Sequence, residues 1–189
     1  RDISQQLGFE ETIQRNAFFD GLTELPNRAL FVDRLDSSIN RRKRGGGSNL
    51  FAVVFVDLDG FAVINEGFGH DVGDMIINEV GKRIAKTIRP DDTVSRFSGD
   101  IFAVLLDPVD GVTGSIQACE RILNAVQEPL SVNGNTLNLT ATAGISVNKG
   151  EYNSAEDMIR DGDTALHRAK KDAQGSYVVF DNAMYEDAV

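Results

Sequence analysis

The chain has 189 residues, 41% hydrophobic and 25% charged, which suits one soluble globular domain with a single substantial core. Lys and Arg total 19 against 29 Asp and Glu, and a net charge of -10 repels polyanions, arguing against nucleic acid or direct contact with an anionic membrane. One cysteine, Cys119, excludes an intrachain disulfide or a thiolate zinc cluster. With no apolar run of membrane-spanning length and a polar, charged N-terminus, the expected setting is cytoplasmic, any membrane anchor lying elsewhere in a longer protein.

In chain order, Ile3, Leu7, Ile13, Ala17 and Phe18 are spaced for an amphipathic helix over residues 1–19. Residues 20–28 form a turn-rich connector, and 29–44 read as a helix with Leu30, Phe31, Leu35 and Ile39 inward, stopped by Gly45, Gly46, Gly47 and Ser48. Residues 50–56 are a continuous β-branched and aromatic run, hence a central buried strand that ends at Asp57 and Asp59. Short helical stretches follow at 60–68 and 73–88, and a hairpin spans 93–106 with Gly99 and Asp100 at its turn. A helix over about 112–127 leads to a strand pair between 129 and 147. Ser154, with Asp157 three residues on, opens a helix to about Ala173, and 177–180 make a last short strand. Helices interleaved with hairpins favour a mixed α/β (α+β) fold, a largely antiparallel sheet of about five strands flanked by helices.

The hairpin Arg96-Phe97-Ser98-Gly99-Asp100-Ile101-Phe102 has the form of a ligand-facing turn. Gly99 lets the backbone approach phosphate oxygens, and Asp100 can hold a divalent cation. If the strand ending at Asp57 lies beside it, the two carboxylates form a pair suited to Mg²⁺ on a nucleoside triphosphate. Ile101, bulky and β-branched, can do none of this and stands where such a site would carry another acid.

Five segments in order, Asp20-Gly21-Leu22-Thr23-Glu24-Leu25-Pro26-Asn27-Arg28, Val56-Asp57-Leu58-Asp59-Gly60-Phe61-Ala62-Val63-Ile64-Asn65-Glu66, Gly69-His70-Asp71-Val72-Gly73-Asp74, Arg96-Phe97-Ser98-Gly99-Asp100-Ile101-Phe102 and Ala165-Leu166-His167-Arg168-Ala169-Lys170, resemble the motifs of the GGDEF (diguanylate cyclase) family. The resemblance implies a palm-like sheet binding GTP, in a dimer that joins two GTP into cyclic di-GMP. By position it implies Asp57 and Asp100 as metal ligands, Asn65 and Asp74 as readers of the guanine edge, and Gly99 and Lys170 as phosphate contacts. Arg89 and Asp92 match the family's Arg-x-x-Asp motif, which binds cyclic di-GMP as an inhibitor.

Three departures bear on activity. The fourth signature residue, a glutamate in the family, is Ile101; the family's Phe-Lys pair is Phe61-Ala62; and the Gly-Arg-Asn after Lys170 is Ala173-Gln174-Gly175. Each loss of a preorganised charge costs phosphoryl transfer about a hundredfold or more. The expectation is a degenerate module that retains nucleotide binding, at residues 20–181, inside a larger signalling protein. Residues 1–19 would be its signalling helix and 182–189 the start of a linker, with a PAS-like sensor before it and an EAL-like phosphodiesterase domain after it.

Plainer readings stay open beside these. Asp57 and Asp100 can be solvated strand-end acids, Asn65 and Asp74 helix caps, Lys170 a favourable charge near a helix C-terminus, and Ile101 strand packing. His70 and His167 lack a second ligand at metal spacing. A still active cyclase and a non-binding dimerisation scaffold remain the rival functions.

Overall fold

A computed structural model describes residues 3–45, 50–182 and 184. Among these, the elements run α1 (Ile3–Phe18), α2 (Arg28–Lys43), β1 (Leu50–Leu58), α3 (Phe61–Phe68), α4 (His70–Thr87), β2 (Thr93–Ser98), β3 (Ile101–Val109), α5 (Gly111–Val126), β4 (Leu130–Val132), β5 (Asn135–Leu137), β6 (Ala141–Asn148), α6 (Ala155–Asp172) and β7 (Tyr177–Val179). The main sheet has five strands in the order β2-β3-β1-β6-β7, antiparallel except for the parallel β6–β7 pair, as the interleaved pattern predicts.

The continuous apolar run of β1 makes it the central strand, because alternate side chains then feed two cores. Ala52, Val54 and Val56 meet Ile76, Val80 and Ile84 of α4 and Ile122 and Val126 of α5. Phe51, Val53 and Phe55 meet Phe31, Leu35 and Ile39 of α2 and Met158 and Leu166 of α6. Asp57 continues the second series and points to the α2/α6 face. Cys119 is buried, and that burial pushes its thiol up to about 12, so it acts as a small core side chain.

Local signals place most boundaries. Asn27 caps α2 by accepting from the Leu30 amide at 3.1 Å, and Ser154 caps α6 by accepting from the Asp157 amide at 3.2 Å. The basic residues 41–44 do form a helix C-terminus, with Arg41 also paired to Asp107. Two expectations need correction. The segment 129–147 is a small separate hairpin, β4–β5, followed by the fully buried β6, which joins the main sheet beside β1. The helix expected from Gly73 starts at His70, so Asp74 lies in its second turn; Asn65 lies inside α3, and neither caps a helix. Gly46, Gly47 and Ser48, residues 1 and 2, and most of the expected C-terminal linker lie outside the described residues.

Candidate nucleotide and metal site

β1 and β3 lie side by side, with Asp57 opposite Ile101 in the ladder and the Leu58 amide donating to the Asp100 carbonyl at 3.3 Å. The two carboxylates are therefore brought together. Gly99, at φ +28°, makes the turn that puts Asp100 at the tip. Asp57 is the buried member, its side chain only 4% exposed, and the Lys170 ammonium from α6 is bonded to its Oδ2. Its Oδ1 is buried with no hydrogen-bond partner. Burial pushes the Asp57 carboxyl up to about 6; the Lys170 ammonium pulls it down, and the charge and hydrogen bonding of Asp100 push it up again.

Ile101 sits on the same face as Asp57 and packs against the α2/α6 core beside Phe97 and Ile159. The strand-packing reading of Ile101 and the absence of an acid there coincide. It also forms one wall of a cavity of about 590 Å³ that includes Arg28, Val32, Phe97 and Ile159. Ala62 and Gln174, the residues at two of the departures, are both exposed.

Asn65 and Asp74 stand on the adjoining helices α3 and α4. The Asn65 Oδ1 is buried without a partner and lies against Gly73, where an added Cβ would stand 1.7 Å from it. A side chain at 73 would force that amide to turn away from its present position. Asp74 is exposed, one residue further along α4.

Arg89 and Asp92 lie far from this cluster, near Pro108, seven residues along β3 from Ile101, about 23 Å at 3.3 Å per residue. Asp92 is 2% exposed and accepts from the Arg89 backbone, Nε and Nη2 and from the Asp107 amide. Its carboxylate is thus already occupied in holding the turn, while Arg89 stays half exposed. The adjacent cavity, about 200 Å³, is also lined by Gln117 and Arg121 of α5, which carried no signal in the sequence.

Two further features escaped sequence reasoning. Asp59 accepts from Thr140 Oγ1 and Thr142 Oγ1, each at 2.7 Å, and Thr142 accepts from the Gly175 amide at 2.9 Å, tying the end of β1 to the loop after α6. Asp20 accepts from Thr23 and pairs with Arg96, whose Nε donates to the Gly99 carbonyl. Burial opposes ionisation of Asp20, but these Thr23 and Arg96 contacts outweigh it and hold the carboxyl below its usual range. Both are long-range pairings that spacing alone does not reveal. His167 is exposed and is bonded to Asp163 on its own helix, and His70 is an exposed first-turn residue of α4.

The donors fit a hard divalent cation: two carboxylates, one with an unpartnered buried oxygen, beside a glycine turn open to phosphate. Among the described residues no group of three or more His, Cys, Asp or Glu side chains is gathered for a metal, so any ion would draw its remaining ligands from backbone, water or phosphate.

The sheet order β2-β3-β1-β6-β7, flanked by helices and carrying a carboxylate pair beside a glycine hairpin, defines a mixed α/β domain. The chain matches the diguanylate cyclase GGDEF domain model over residues 17–176 and belongs to that family, a component of cyclic di-GMP signalling proteins. It is 33% identical over 91% of its length to the bifunctional diguanylate cyclase/cyclic di-GMP phosphodiesterase MucR of Pseudomonas aeruginosa, of which it covers 25%. It is 36% identical over 84% of its length to the cyclic di-GMP phosphodiesterase NbdA of the same organism, covering 20% of it. The GGDEF domain of TpbB from that organism superposes with a TM-score of 0.85 at 31% identity, over 90% of this chain and 98% of that one. The chain therefore spans a quarter or less of the length of MucR and NbdA. No helix among the described residues is long and apolar enough to cross a membrane.

Proposed function

We propose that this domain is a degenerate GGDEF module that binds GTP with Mg²⁺, or cyclic di-GMP, and regulates a larger signalling protein without making cyclic di-GMP itself. The observation that carries this reading is Ile101, an apolar side chain opposite Asp57 on the face where the carboxylate pair stands. Asp57 and Asp100 would hold the ion, Asn65 and Asp74 the guanine, and Gly99 and Lys170 the phosphates. The ion would neutralise and orient the triphosphate. At the second site Arg89 would take a phosphate or guanine edge of cyclic di-GMP, with Asp92 fixing the Arg89 backbone.

α1 buries none of its residues and exposes Ile3, Leu7, Phe9 and Ile13, which supports pairing with a second copy in the full-length protein. PAS-like and EAL-like neighbours are part of the same proposal, and the cyclase/phosphodiesterase name of MucR supports the phosphodiesterase neighbour.

The rival reading, an active cyclase, is favoured by relatives such as TpbB that are named diguanylate cyclases at 33% identity. Incubation with GTP and Mg²⁺, with products separated by chromatography, decides between them. The degenerate reading expects no cyclic di-GMP from the wild type and product from the Ile101→Glu/Ala62→Lys variant. Sustained wild-type turnover that disappears in Asp57→Asn would overturn it.

A further inference from the structure

The cation seated on Asp57 belongs to the protein. Lys170 reaches across from α6 to Asp57 Oδ2, and among the described residues it is the single basic side chain paired with that carboxylate. Its own side chain is 45% exposed, whereas Asp57 is almost wholly buried, so the lysine can swing out to solvent and the carboxylate cannot follow. Asp100 stands close enough to add repulsion, and Asp57 Oδ1 remains without a partner. Two carboxylates and one ammonium leave a formal charge of -1, and one carboxylate oxygen has no donor. That arrangement is stable enough to fold but is incompletely neutralised.

A divalent ion arriving alone must take Oδ2 from the ammonium, and so gains less than it would at a free carboxylate pair. A triphosphate arriving with it supplies anionic oxygens for the displaced lysine, which removes that penalty. We propose that Lys170 is the resident counter-ion of the ligand-free site, so that metal and triphosphate bind cooperatively, the metal taking Asp57 and the triphosphate taking Lys170. This rests on the reading of Asp57 and Asp100 as metal ligands. It goes beyond a phosphate-contacting role, since it gives Lys170 a task before any nucleotide is present.

The test is Mn²⁺ titration of the domain, followed by the electron paramagnetic resonance signal of the free ion, with and without a non-hydrolysable GTP analogue. Without nucleotide, Lys170→Met should bind Mn²⁺ roughly tenfold more tightly than wild type, a coupling of ordinary size. Lys170→Arg should stay near wild type. Lys171→Met, which removes the same charge one residue away, should change affinity by about twofold at most under ordinary salt screening. The analogue should tighten Mn²⁺ binding to wild type far more than to Lys170→Met. Mn²⁺ should also raise the melting temperature of Lys170→Met more than that of wild type, which checks folding in the same samples.

Equal Mn²⁺ affinity in wild type and Lys170→Met, with both weakened by Asp57→Asn, would overturn the counter-ion role and keep the metal site. Affinities untouched by Asp57→Asn would overturn the metal site and this inference with it.

Discussion

Replacing Gly144 with alanine tests how closely α6 is seated on the sheet, and with it how Lys170 reaches Asp57. A Cβ at 144 would stand 2.3 Å from the Leu166 amide nitrogen, 2.5 Å from the Gly162 carbonyl oxygen and 2.7 Å from the Leu166 Cα. All three obstacles are backbone, so no rotamer change relieves them, and reaching 3.4 Å requires α6 to retreat by roughly 1 Å. Overpacking of this kind costs about 1–3 kcal/mol, and backbone-on-backbone contact puts Gly144→Ala at the upper end. The lost unfolded-state entropy of alanine returns only about 0.4–1 kcal/mol. A net loss of about 2 kcal/mol corresponds to a fall in melting temperature of roughly 4–8 °C for a domain of this size. Thermal and urea unfolding followed by circular dichroism measure it. A variant that melts within about 1 °C of wild type would refute the close seating of α6 on β6, because such a contact cannot be absorbed without cost.

Other outcomes follow from the same geometry. With metal excluded, Asp57 binds its proton more tightly folded, at about 6, than unfolded, near 3.8, so its contribution to stability falls as pH rises through that window and is lost above it. Urea melts at pH 4 to 8 should show Asp57→Asn gaining on wild type by on the order of 2 kcal/mol across that range. Asp92→Asn should destabilise the fold by about 2 kcal/mol with or without ligand, since its carboxylate receives four hydrogen bonds. Calorimetric titration with cyclic di-GMP should lose its signal in Arg89→Ala, with stability changed far less than in Asp92→Asn. Asp59→Ala, by releasing Thr140 and Thr142, should cost about 1–2 kcal/mol in urea melts.

The central strand, the hairpin and the capped helices were legible because each rests on a local cause: the apolar run of β1, the glycine turn at 99, Asn27 and Ser154 as caps. Pairing partners were less so. β6 was merged with the β4–β5 hairpin because Thr140 just before it and Thr142 and Gly144 within it break the apolar pattern. Those same residues are there for tertiary reasons, two to hold Asp59 and one to admit α6. The start of α4 was displaced because Gly73 reads as a boundary, whereas it is a helical position kept bare for the Asn65 amide. Asp20 and Arg96, 76 residues apart, and Asp57 and Lys170 are joined only by the fold.

These misreadings share a cause that bears on function. Gly144, Thr142 and Asp59 serve the sheet face that carries Asp57 and seats α6, the helix of Lys170, and Gly73 serves the helix pair that carries Asn65. Ile101 is the opposite case. It is a good strand residue whose side chain packs well, and it departs from the family only in chemistry. Restoring the acid at 101 should therefore weaken the α2/α6 core, because a carboxylate would replace apolar contacts with Phe97 and Ile159. Ile101→Glu should melt below wild type in the absence of nucleotide. If it melted above, the packing role assigned to Ile101 would be wrong.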